Sequence, residues 1–441
     1  MKICIIGTGY IGLTEGLCFA DLGHDVVCYD IIKEKIELLQ KGIPTLYENG
    51  LEEMLKRNLK NKRISFTTNL KEALQDSKVV FVCVNTPESP KDGSADLTAL
   101  INSTKSIAEN MDSNNEFVLV IRSTVPVGTN KMIESNVQKT NPNLKFKMAS
   151  NPEFSKQGSA IQDFLNPDRI IVGVKDDATK KIMEEVYKPL TDKNSPILFT
   201  SIETAELIKY ASNAFLAIKI TFINEIADIC EKTGANVAEV AKAMGMDKRI
   251  SPYFLNAGPG IGGSCFPKDS IALVQIGKKL GLEMELLLAS VESNKKRKKR
   301  MAEKIIENSS TKLKGKKVAL LGLTFKANTD DTRYSPALDI IKKLTKKGIY
   351  INAYDPHGTE KAKTMLPEKN LKKVSFFDNP YDAINGSEIL VIDTEWDEFK
   401  KLDYRKIYEI LGQKTIIDLR NILNKKEIED IGFKYVCIGQ R

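Results

Sequence analysis

The stretch KICIIGTGYIG at residues 2–12 joins an apolar run to a glycine-rich turn, and it decides the fold of the N-terminal part. Residues 2–6 predict a β-strand, and the apolar pattern after the turn predicts a helix over residues 11–22. Residues 25–29 predict a second strand, which ends at Asp30. A GxGxxG turn between a strand and a helix, with an acidic residue at the end of the next strand, is typical of a dinucleotide-binding βαβ unit.

The glycines of this turn allow a pyrophosphate to approach the backbone N–H groups at the start of the helix. Asp30 can accept hydrogen bonds from a ribose hydroxyl, and its negative charge disfavours the 2′-phosphate of NADP. The turn therefore predicts binding of NAD in preference to NADP. The alternative is a βα turn with a purely structural role.

Apolar, strand-like runs alternate with helical segments up to about residue 200. They lie at residues 79–84, 117–121, 145–149, 170–174 and 197–200. Hydroxyl, amide or carboxylate side chains follow the first three runs, among them Thr86, Thr124 and Glu153. Open parallel sheets bind ligands at the carboxyl ends of their strands, so these side chains are candidates for ligand contacts. We expect a doubly wound parallel sheet over residues 1–200.

The middle of the chain, residues 201–313, is predicted to be helical. Residues 203–232 form one long helical pattern that is apolar on several faces, so we expect it to be buried between domains or subunits. Lys209 and Asn213 are four residues apart and share one face of this helix, which by itself also fits a plain surface contact. The run KKRKKR at residues 295–300 contains no aromatic residue, which favours a solvated helix face over a nucleic-acid patch.

A second glycine-rich stretch, GPGIGGSCFPKD at residues 258–269, delivers Cys265 to the predicted start of a helix. Pro267 suits the first helical turn, because its missing N–H would have no partner there. The free N–H groups and the positive end of the helix dipole favour a thiolate, the nucleophilic form of cysteine. The stretch indicates a reactive cysteine beside a ligand-sized loop, and the alternative is an inert, packed cysteine.

Residues 314–441 partly repeat the first pattern. The predicted elements are strands within residues 317–323, 350–354, 389–392 and 415–418 and a helix over residues 336–346. Asp355 ends the second of these strands as Asp30 does in the first unit. The first turn lacks GxGxxG, and Lys326 and Arg333 are candidate anion partners in place of glycine amides. Arg420 follows the last of these strands.

The 441-residue chain carries a formal net charge of +8, which suits an anionic small substrate. No apolar run approaches the roughly 20 residues that span a bilayer, and no signal peptide is predicted. Seven scattered cysteines without paired spacing indicate a reduced, cytoplasmic protein and not a disulfide framework. The two histidines, His24 and His357, give little support for a zinc site or a Ser-His-Asp triad, so we predict no metal site.

In order and spacing, the motifs make the chain similar to the UDP-glucose/GDP-mannose dehydrogenase family nearly from end to end. They are GTGYIG, the strand that ends at Asp30, CVNTP, STVPVGT, NPEF, AELIKYASNAF, GIGGSCFPKD, GLTFK and DLRN. The resemblance implies two Rossmann-like domains, over residues 1–200 for NAD and residues 314–441 for the UDP-sugar. A helical central domain over residues 201–313, with a long central helix, would join them and form a homodimer or larger homo-oligomer.

The resemblance also implies a reaction, the NAD-dependent four-electron oxidation of UDP-glucose at C6 to UDP-glucuronate. It would proceed through a thiohemiacetal and a thioester on the cysteine. The catalytic group would consist of Thr124, Glu153, Lys209, Asn213, Cys265 and Asp269. NAD would be held by Gly7, Gly9, Tyr10, Ile11, Gly12, Asp30, Lys35, Thr86, Thr124, Gln157, Lys268 and Arg333. The sugar nucleotide would contact Glu153, Phe154, Lys209, Asn213, Arg249, Phe254, Asn256, Gly260, Gly262, Phe325, Lys326 and Arg420, with Arg249 supplied by a neighbouring subunit.

Three positions depart from the family's pattern. Gln157 stands where a second glutamate is common, Asn256 where a lysine is common, and Ile261 where an aromatic residue is common. Ser264, directly before the cysteine, argues against dehydrogenases of UDP-N-acetyl sugars, which typically carry histidine there. GDP-mannose is the alternative substrate, because its dehydrogenase shares the Ser-Cys and Pro-Lys-Asp pattern.

Two further classes of protein are disfavoured by the residues themselves. A catalytically silent sensor of sugar nucleotides would be expected to lack Cys265, Lys209 or Asp269, and all three are present. A simple two-electron dehydrogenase fits the first domain, but it gives no role to the cysteine stretch or to residues 314–441.

Overall fold

The computed structural model describes residues 1–440, which group into two compact units, residues 1–212 and the residues from Asn213 onward. The strands of the first unit are β1 (Lys2–Ile6), β2 (Asp25–Tyr29), β3 (Ile64–Thr67), β4 (Val79–Val82), β5 (Phe117–Ile121), β6 (Phe146–Ser150), β7 (Ile170–Gly173) and β8 (Ile197–Thr200). Its helices are α1 (Tyr10–Asp21), α2 (Lys33–Gln40), α3 (Leu51–Lys60), α4 (Leu70–Leu74), α5 (Thr98–Asn110), α6 (Thr129–Thr140), α7 (Ala160–Leu165) and α8 (Asp177–Thr191). The long helix α9 (Ile202–Thr233) begins in the first unit and ends in the second.

The second unit continues with α10 (Val237–Gly245), α11 (Phe266–Lys279) and α12 (Glu285–Glu307). Its strands are β9 (Lys317–Leu321), β10 (Tyr350–Tyr354), β11 (Val374–Phe376), β12 (Ile389–Ile392), β13 (Thr415–Asp418) and β14 (Lys434–Cys437). Its remaining helices are α13 (Pro336–Lys346), α14 (Thr359–Met365), α15 (Glu368–Leu371), α16 (Pro380–Ile384), α17 (Asp397–Lys400), α18 (Tyr404–Ile410) and α19 (Lys425–Ile431).

The first unit contains an eight-stranded sheet in the order β3-β2-β1-β4-β5-β6-β7-β8. β1 pairs in parallel with both β2 and β4, so the strand order reverses beside β1 and leaves a crevice at the carboxyl ends of these strands. The sequence predicts a parallel sheet, and β1 to β6 are parallel. The prediction is wrong for β7 and β8. β7 pairs with β6 in the antiparallel direction, and β8 pairs in parallel with β7. The connection between β6 and β7, residues 151–169, contains only the six-residue helix α7 and does not form the helical crossover of a βαβ unit.

Apolar packing covers both faces of this sheet. Ile3 and Ile5 of β1 belong to one buried cluster, and Cys4 and Ile6 belong to another. A strand buried on both faces is expected to be a continuous apolar run, which explains why these strands can be predicted from the sequence. The predictions for β1, β2, β5 and β8 are confirmed to the residue.

The second unit repeats the arrangement with six strands in the order β11-β10-β9-β12-β13-β14, all parallel. Its order reverses between β10 and β12, on either side of β9, just as the first sheet reverses at β1. β10, β12, β13 and α13 have the bounds that the sequence predicts. The two Rossmann-like sheets and the helical middle region are therefore confirmed. Within residues 1–440, no helix combines the length and the apolar character that crossing a membrane requires.

Candidate active site

The glycine-rich turn between β1 and α1 has the geometry of a phosphate cradle. Gly7 adopts a φ of +96°, and a Cβ on Gly12 would lie 1.9 Å from the Gly7 carbonyl oxygen, so neither position accepts a larger residue. A Cβ on Gly9 would meet nothing closer than Asn85 Oδ1, at 4.0 Å. The turn therefore leaves open space directly before the N-terminus of α1, where a bound pyrophosphate fits.

Asp30, at the end of β2, is buried and orients the same turn. Its Oδ2 accepts hydrogen bonds from the backbone N–H and the hydroxyl of Thr8, both at 2.8 Å, and its Oδ1 accepts from the N–H of Ile32 at 3.1 Å. Thr86 lies beyond β4, and its hydroxyl donates to the carbonyl of Thr124 beyond β5 at 2.8 Å. The structure thus places these predicted cofactor residues at the carboxyl edge of neighbouring strands. Lys35 lies on α2, and Ile11 lies on α1.

Tyr10 belongs to a buried polar cluster that the sequence did not reveal. Its hydroxyl donates to Glu48, whose carboxylate also accepts the N–H groups of Gly158 at 2.7 Å and Ala160 at 2.9 Å. Burial and the hydrogen bond to Glu48 raise the pKa of Tyr10, which keeps its hydroxyl protonated. The cluster ties the glycine-rich turn to the segment directly after Gln157. Glu48 carries no motif that would have identified it.

Glu153 and Lys209, two of the predicted catalytic residues, form a buried ion pair in the first unit. Lys209 Nζ lies 3.1 Å from Glu153 Oε1, and their side chains are 4% and 8% exposed. The other carboxylate oxygen of Glu153 accepts the N–H of Ser155 at 2.7 Å. Phe154 contacts the same group, because Lys209 Nζ lies 5.2 Å from the centre of its ring and Arg169 Cζ lies 4.0 Å from it. Burial of a paired carboxylate and ammonium positions both charges firmly.

A second buried ion pair supports the segment that precedes Glu153. Arg122 donates from Nε and Nη2 to the two carboxylate oxygens of Glu15, at 2.6 and 2.7 Å. Its Nη1 donates to the carbonyl oxygens of Asn151 at 2.8 Å and Pro152 at 3.2 Å. Neither Arg122 nor Glu15 is predicted from the sequence. A glutamate on an otherwise apolar stretch of α1 was the available signal.

The second unit presents Cys265 as the residue directly before α11. Cys265 is exposed, whereas Cys4, Cys18, Cys28, Cys83, Cys230 and Cys437 are buried. Burial raises the pKa of the Cys28 and Cys83 thiols well above its ordinary value, which keeps these thiols protonated. The guanidinium of Arg333 interacts electrostatically with Cys265, and its backbone carbonyl accepts the N–H of Gly263 at 2.9 Å. The predicted position of the cysteine before a helix is confirmed.

Asp269 lies in the first turn of α11, and its N–H donates to the Cys265 carbonyl at 2.8 Å. Its side chain is 1% exposed, and its carboxylate binds the side chains of two other predicted site residues. Asn213 donates from Nδ2 to Oδ2 at 2.7 Å, and Lys268 Nζ lies 2.7 Å from Oδ1. The structure therefore brings Asn213, Lys268 and Asp269 together one helical turn from the cysteine.

Arg420 and Phe325 are joined in the second unit at the carboxyl edge of its sheet. Arg420 donates from Nη2 to the Phe325 carbonyl and from Nε to the Asp393 carbonyl, both at 2.7 Å. A Cβ on Gly262 would lie 2.7 Å from Phe325 Cβ, so the glycine permits the close approach of the two segments. Lys326 Nζ lies 5.7 Å from the centre of the Phe325 ring.

The remaining predicted substrate residues lie before the cysteine. Phe254 has a φ of +63° and an edge-on contact with Phe266, with ring centres 5.7 Å apart. Asn256 is exposed, and Gly260 has a φ of +134°. Arg249 is 89% exposed at its side chain and pairs with Asp247. Of this group, Arg249 extends furthest into solvent.

Sequence models of one family match most of the chain. The UDP-glucose/GDP-mannose dehydrogenase family matches with its NAD binding domain over residues 1–191, its central domain over residues 203–296 and its UDP binding domain over residues 319–425. A UDP-glucose 6-dehydrogenase of Rhizobium meliloti is 46% identical over 100% of both chains. A UDP-glucose dehydrogenase structure from Pyrobaculum islandicum superimposes with a TM-score of 0.90 at 36% identity, covering 100% of this chain and 98% of the other. A UDP-D-ManNAc dehydrogenase structure from Pyrococcus horikoshii gives 0.86 at 28% identity, covering 100% and 99%.

Proposed function

Because the chain belongs to the UDP-glucose/GDP-mannose dehydrogenase family, we propose that it oxidises C6 of UDP-glucose to the carboxylate of UDP-glucuronate, with Cys265 as the nucleophile. The chain is an NAD-dependent oxidoreductase. The observation that carries the proposal is the exposure of Cys265 at the start of α11, while the other cysteines are buried. A four-electron oxidation needs a group that holds the aldehyde between its two steps, and an exposed thiolate supplies it.

The residues of the first unit fit NAD. When bound, NAD+ accepts a hydride from the substrate carbon. Gly9 would leave room for the pyrophosphate at the N-terminus of α1, and the carboxylate of Asp30 would accept a hydrogen bond from a ribose hydroxyl. We assign the remaining cofactor contacts to Gly7, Tyr10, Ile11, Gly12, Lys35, Thr86, Thr124, Gln157, Lys268 and Arg333.

In the first oxidation, the C6 hydroxyl loses a proton and the carbon loses a hydride, which gives an aldehyde. We assign the proton to Asp269, acting through a water molecule. Lys209 and Asn213 stabilise the negative charge that develops on oxygen. The hydrogen bond from Asn213 to Asp269 keeps both groups in fixed orientation.

In the second oxidation, the Cys265 thiolate forms a bond to the aldehyde carbon, and the carbonyl oxygen becomes the oxyanion of a thiohemiacetal. Loss of a hydride from this carbon gives a thioester. Water then attacks the thioester with Glu153 as the base, the carbon–sulfur bond breaks, and the uronate and the thiolate are released. The ion pair with Lys209 keeps Glu153 in place for this step.

We assign the sugar nucleotide to Phe154, Phe254, Asn256, Gly260, Gly262, Phe325, Lys326 and Arg420, together with Arg249 from a second subunit. A homodimer or larger homo-oligomer is supported by α9, where Phe215, Phe222 and Ile229 are 62%, 46% and 56% exposed. Their spacing of seven residues places them in one row along the helix, and exposed apolar rows favour association. The side chain of Arg249 is 89% exposed and is therefore accessible to a second copy.

We further propose a division into a domain for NAD over residues 1–200, a dimerisation domain over residues 201–313 and a domain for the UDP-sugar over residues 314–441. The matches to the family's domain models support these roles. The free cysteines support a reducing, cytoplasmic location, where a nucleophilic thiol stays available.

Incubation with NAD+ and a panel of UDP- and GDP-sugars tests the proposal. We expect two NADH per UDP-glucose and UDP-glucuronate as the product, and a sugar adduct on Cys265 in enzyme quenched during turnover. Cys265→Ala should form almost no uronate. Its NADH formation should stop near one per active site, or continue slowly as free aldehyde is released. Turnover with GDP-mannose alone, one NADH per sugar, or uronate formation by the alanine variant at the wild-type rate would each contradict the proposal.

A further inference from the structure

One face of α12 contacts the glycine-rich segment 258–261, which precedes Cys265. Asn294, Arg297 and Lys298 lie at positions i, i+3 and i+4 and therefore share a face of this helix. Arg297 and Lys298 belong to the basic run at residues 295–300, whose composition favours a solvated helix face. That interpretation is wrong for Arg297 and Lys298, which are 2% and 8% exposed. Buried cations on a helix need partners, and these partners lie in or beside the segment.

The side chain of Asn294 binds both the backbone N–H and the backbone carbonyl of Ile261. Its Oδ1 accepts the N–H of Ile261 at 2.7 Å, and its Nδ2 donates to the Ile261 carbonyl oxygen at 3.2 Å. A β-strand neighbour would supply the same two bonds. Here one side chain replaces the neighbour, so it fixes where Ile261 lies along α12.

Arg297 and Asn224 hold Gly258 from both of its backbone groups. Arg297 Nε donates to the Gly258 carbonyl at 3.0 Å, and the N–H of Gly258 donates to Asn224 Oδ1 at 2.8 Å. Arg297 also donates to the Asn224 carbonyl at 3.1 Å and pairs with Asp228. The arginine therefore links the segment to α9.

Lys298 and Gly260 complete the contact. Lys298 Nζ donates to the Tyr334 carbonyl at 2.7 Å and lies 3.1 Å from Asp339. A Cβ on Gly260 would lie 3.0 Å from both Asn294 Oδ1 and Lys298 Cγ. Because no β carbon fits without displacing these side chains, the backbone of the segment lies directly against α12.

We propose that Asn294, Arg297 and Lys298 are positioning residues, which hold residues 258–261 so that Cys265 meets the substrate carbon in the second oxidation. The backbone N–H and C=O groups of Gly258 and Ile261 are bound by side chains and not by a strand or helix, so these side chains fix both ends of the segment. The kinetic part of the proposal rests on the proposed function, whereas the structural part does not.

Asn294→Ala tests the proposal, with Lys299→Ala as the matched control. Lys299 belongs to the same basic run, but its side chain is 67% exposed and pairs with Glu303 on the surface. Hydrogen exchange at the Ile261 amide, measured without substrate, should accelerate about tenfold in Asn294→Ala, because its acceptor is lost. The control should exchange as the wild type does.

Turnover gives the second measurement. We expect kcat/KM for UDP-glucose to fall about tenfold in Asn294→Ala. The ratio of NADH to UDP-glucuronate should rise above two, because aldehyde that Cys265 fails to capture leaves after the first oxidation. A purely structural residue would lower the amount of active enzyme without changing this ratio.

Exchange or kcat/KM equal to the Lys299→Ala control would overturn the proposal, as would a ratio that stays at two. If Asn294→Ala does not fold, Lys298→Met takes its place, since it keeps the aliphatic stem and removes the donor to Tyr334. If the wild type oxidises another sugar, the proposed substrate fails, and the exchange measurement still decides the role of α12.

Discussion

Replacing Asp393 by asparagine should stabilise the second unit at neutral and alkaline pH. Asp393 directly follows β12 and has no exposed surface. Burial raises its pKa to about 7, although the charges of Arg420 and Lys298 and the N–H of Ala337 oppose the shift. The charge of Glu395 acts in the same direction as burial. At neutral pH the carboxyl is therefore half protonated, and asparagine closely matches the shape of the protonated acid.

The pKa difference between the folded and unfolded chain sets the size of the effect. An aspartate in an unfolded chain titrates near 3.8, so between about pH 4 and pH 7 the unfolded state has lost a proton that the folded state retains. Folding stability from this group is fully present below that window and falls as pH rises through it. A pKa difference of about 3 corresponds to about 4 kcal/mol. The amide of the variant cannot ionise, so the advantage of Asp393→Asn should grow by this order across the window and then remain constant.

Urea unfolding followed by tryptophan fluorescence measures the effect. Trp396 is the single tryptophan of the chain, lies 6% exposed, and belongs to the same unit as Asp393. Its signal therefore reports unfolding around the substituted residue. Asp397→Asn is the matched control, because its carboxyl is exposed and its pKa is lowered by the hydrogen bond from Lys400. A stability difference between Asp393→Asn and wild type that is the same at about pH 5 and about pH 8 would refute the reasoning.

Three further predictions concern the first unit and the association of subunits. Asp30→Ala should weaken NAD+ more than NADP+, because it removes a ribose acceptor and the repulsion of a 2′-phosphate; an unchanged ratio of the two kcat/KM values would argue against the assignment. Arg122→Leu should cost about 3–5 kcal/mol in urea unfolding followed by circular dichroism, since it leaves the Glu15 carboxylate buried without its partner. Adding Glu15→Leu should recover much of the loss, and additive losses in the double variant would contradict the pairing. Phe222→Glu should reduce the oligomer to monomers in light-scattering measurements, and an unchanged mass would place the interface elsewhere.

The two sheets could be predicted because most of their strands are covered on both faces. Such strands are apolar throughout, and β10, β12 and β13 have the predicted bounds. β3, β11 and β14, which lie at the sheet edges, are not predicted from the sequence. Ser375 of β11 and Lys434 of β14 are exposed, so these strands interrupt the apolar run that identifies the others.

The direction of β7 could not be read from its residues. A parallel and an antiparallel neighbour bury the same apolar side chains, so the run at residues 170–174 fits both. The direction is set by the connection after β6, which contains only the six-residue α7 and forms no helical crossover. The path of a connection depends on how all of its roughly twenty residues fold, and no repeating pattern of apolar residues in the sequence indicates that path.

In the candidate site, too, the sequence predicts individual residues but not the contacts between them. The residues that we propose for the chemistry, such as Cys265, Lys209 and Asp269, stand in recognisable stretches. Which of these residues contact one another is not visible in the stretches, because the bonds cross long distances in sequence. Asn213 and Asp269 are 56 residues apart, and Arg122 and Glu15 are 107 apart. Resemblance to a family identified Asn213. Glu48 carries no such motif, and the available signal for Glu15 was its position in an otherwise apolar stretch of α1.

The basic run on α12 shows why composition cannot separate a solvated charge from a buried one. Lys298 and Lys299 are adjacent and chemically identical, yet the side chain of one is 11% exposed and that of the other is 67% exposed. The helix turns by about 100° between them, so one faces the segment and the other faces solvent. The acceptors of Arg297 and Lys298 include backbone carbonyls at Gly258 and Tyr334, and every residue type carries that group. A backbone carbonyl that acts as an acceptor therefore cannot be recognised from the type of residue that carries it. The role of the run becomes visible only when the glycines that let the backbone approach are considered together with the helix that they approach.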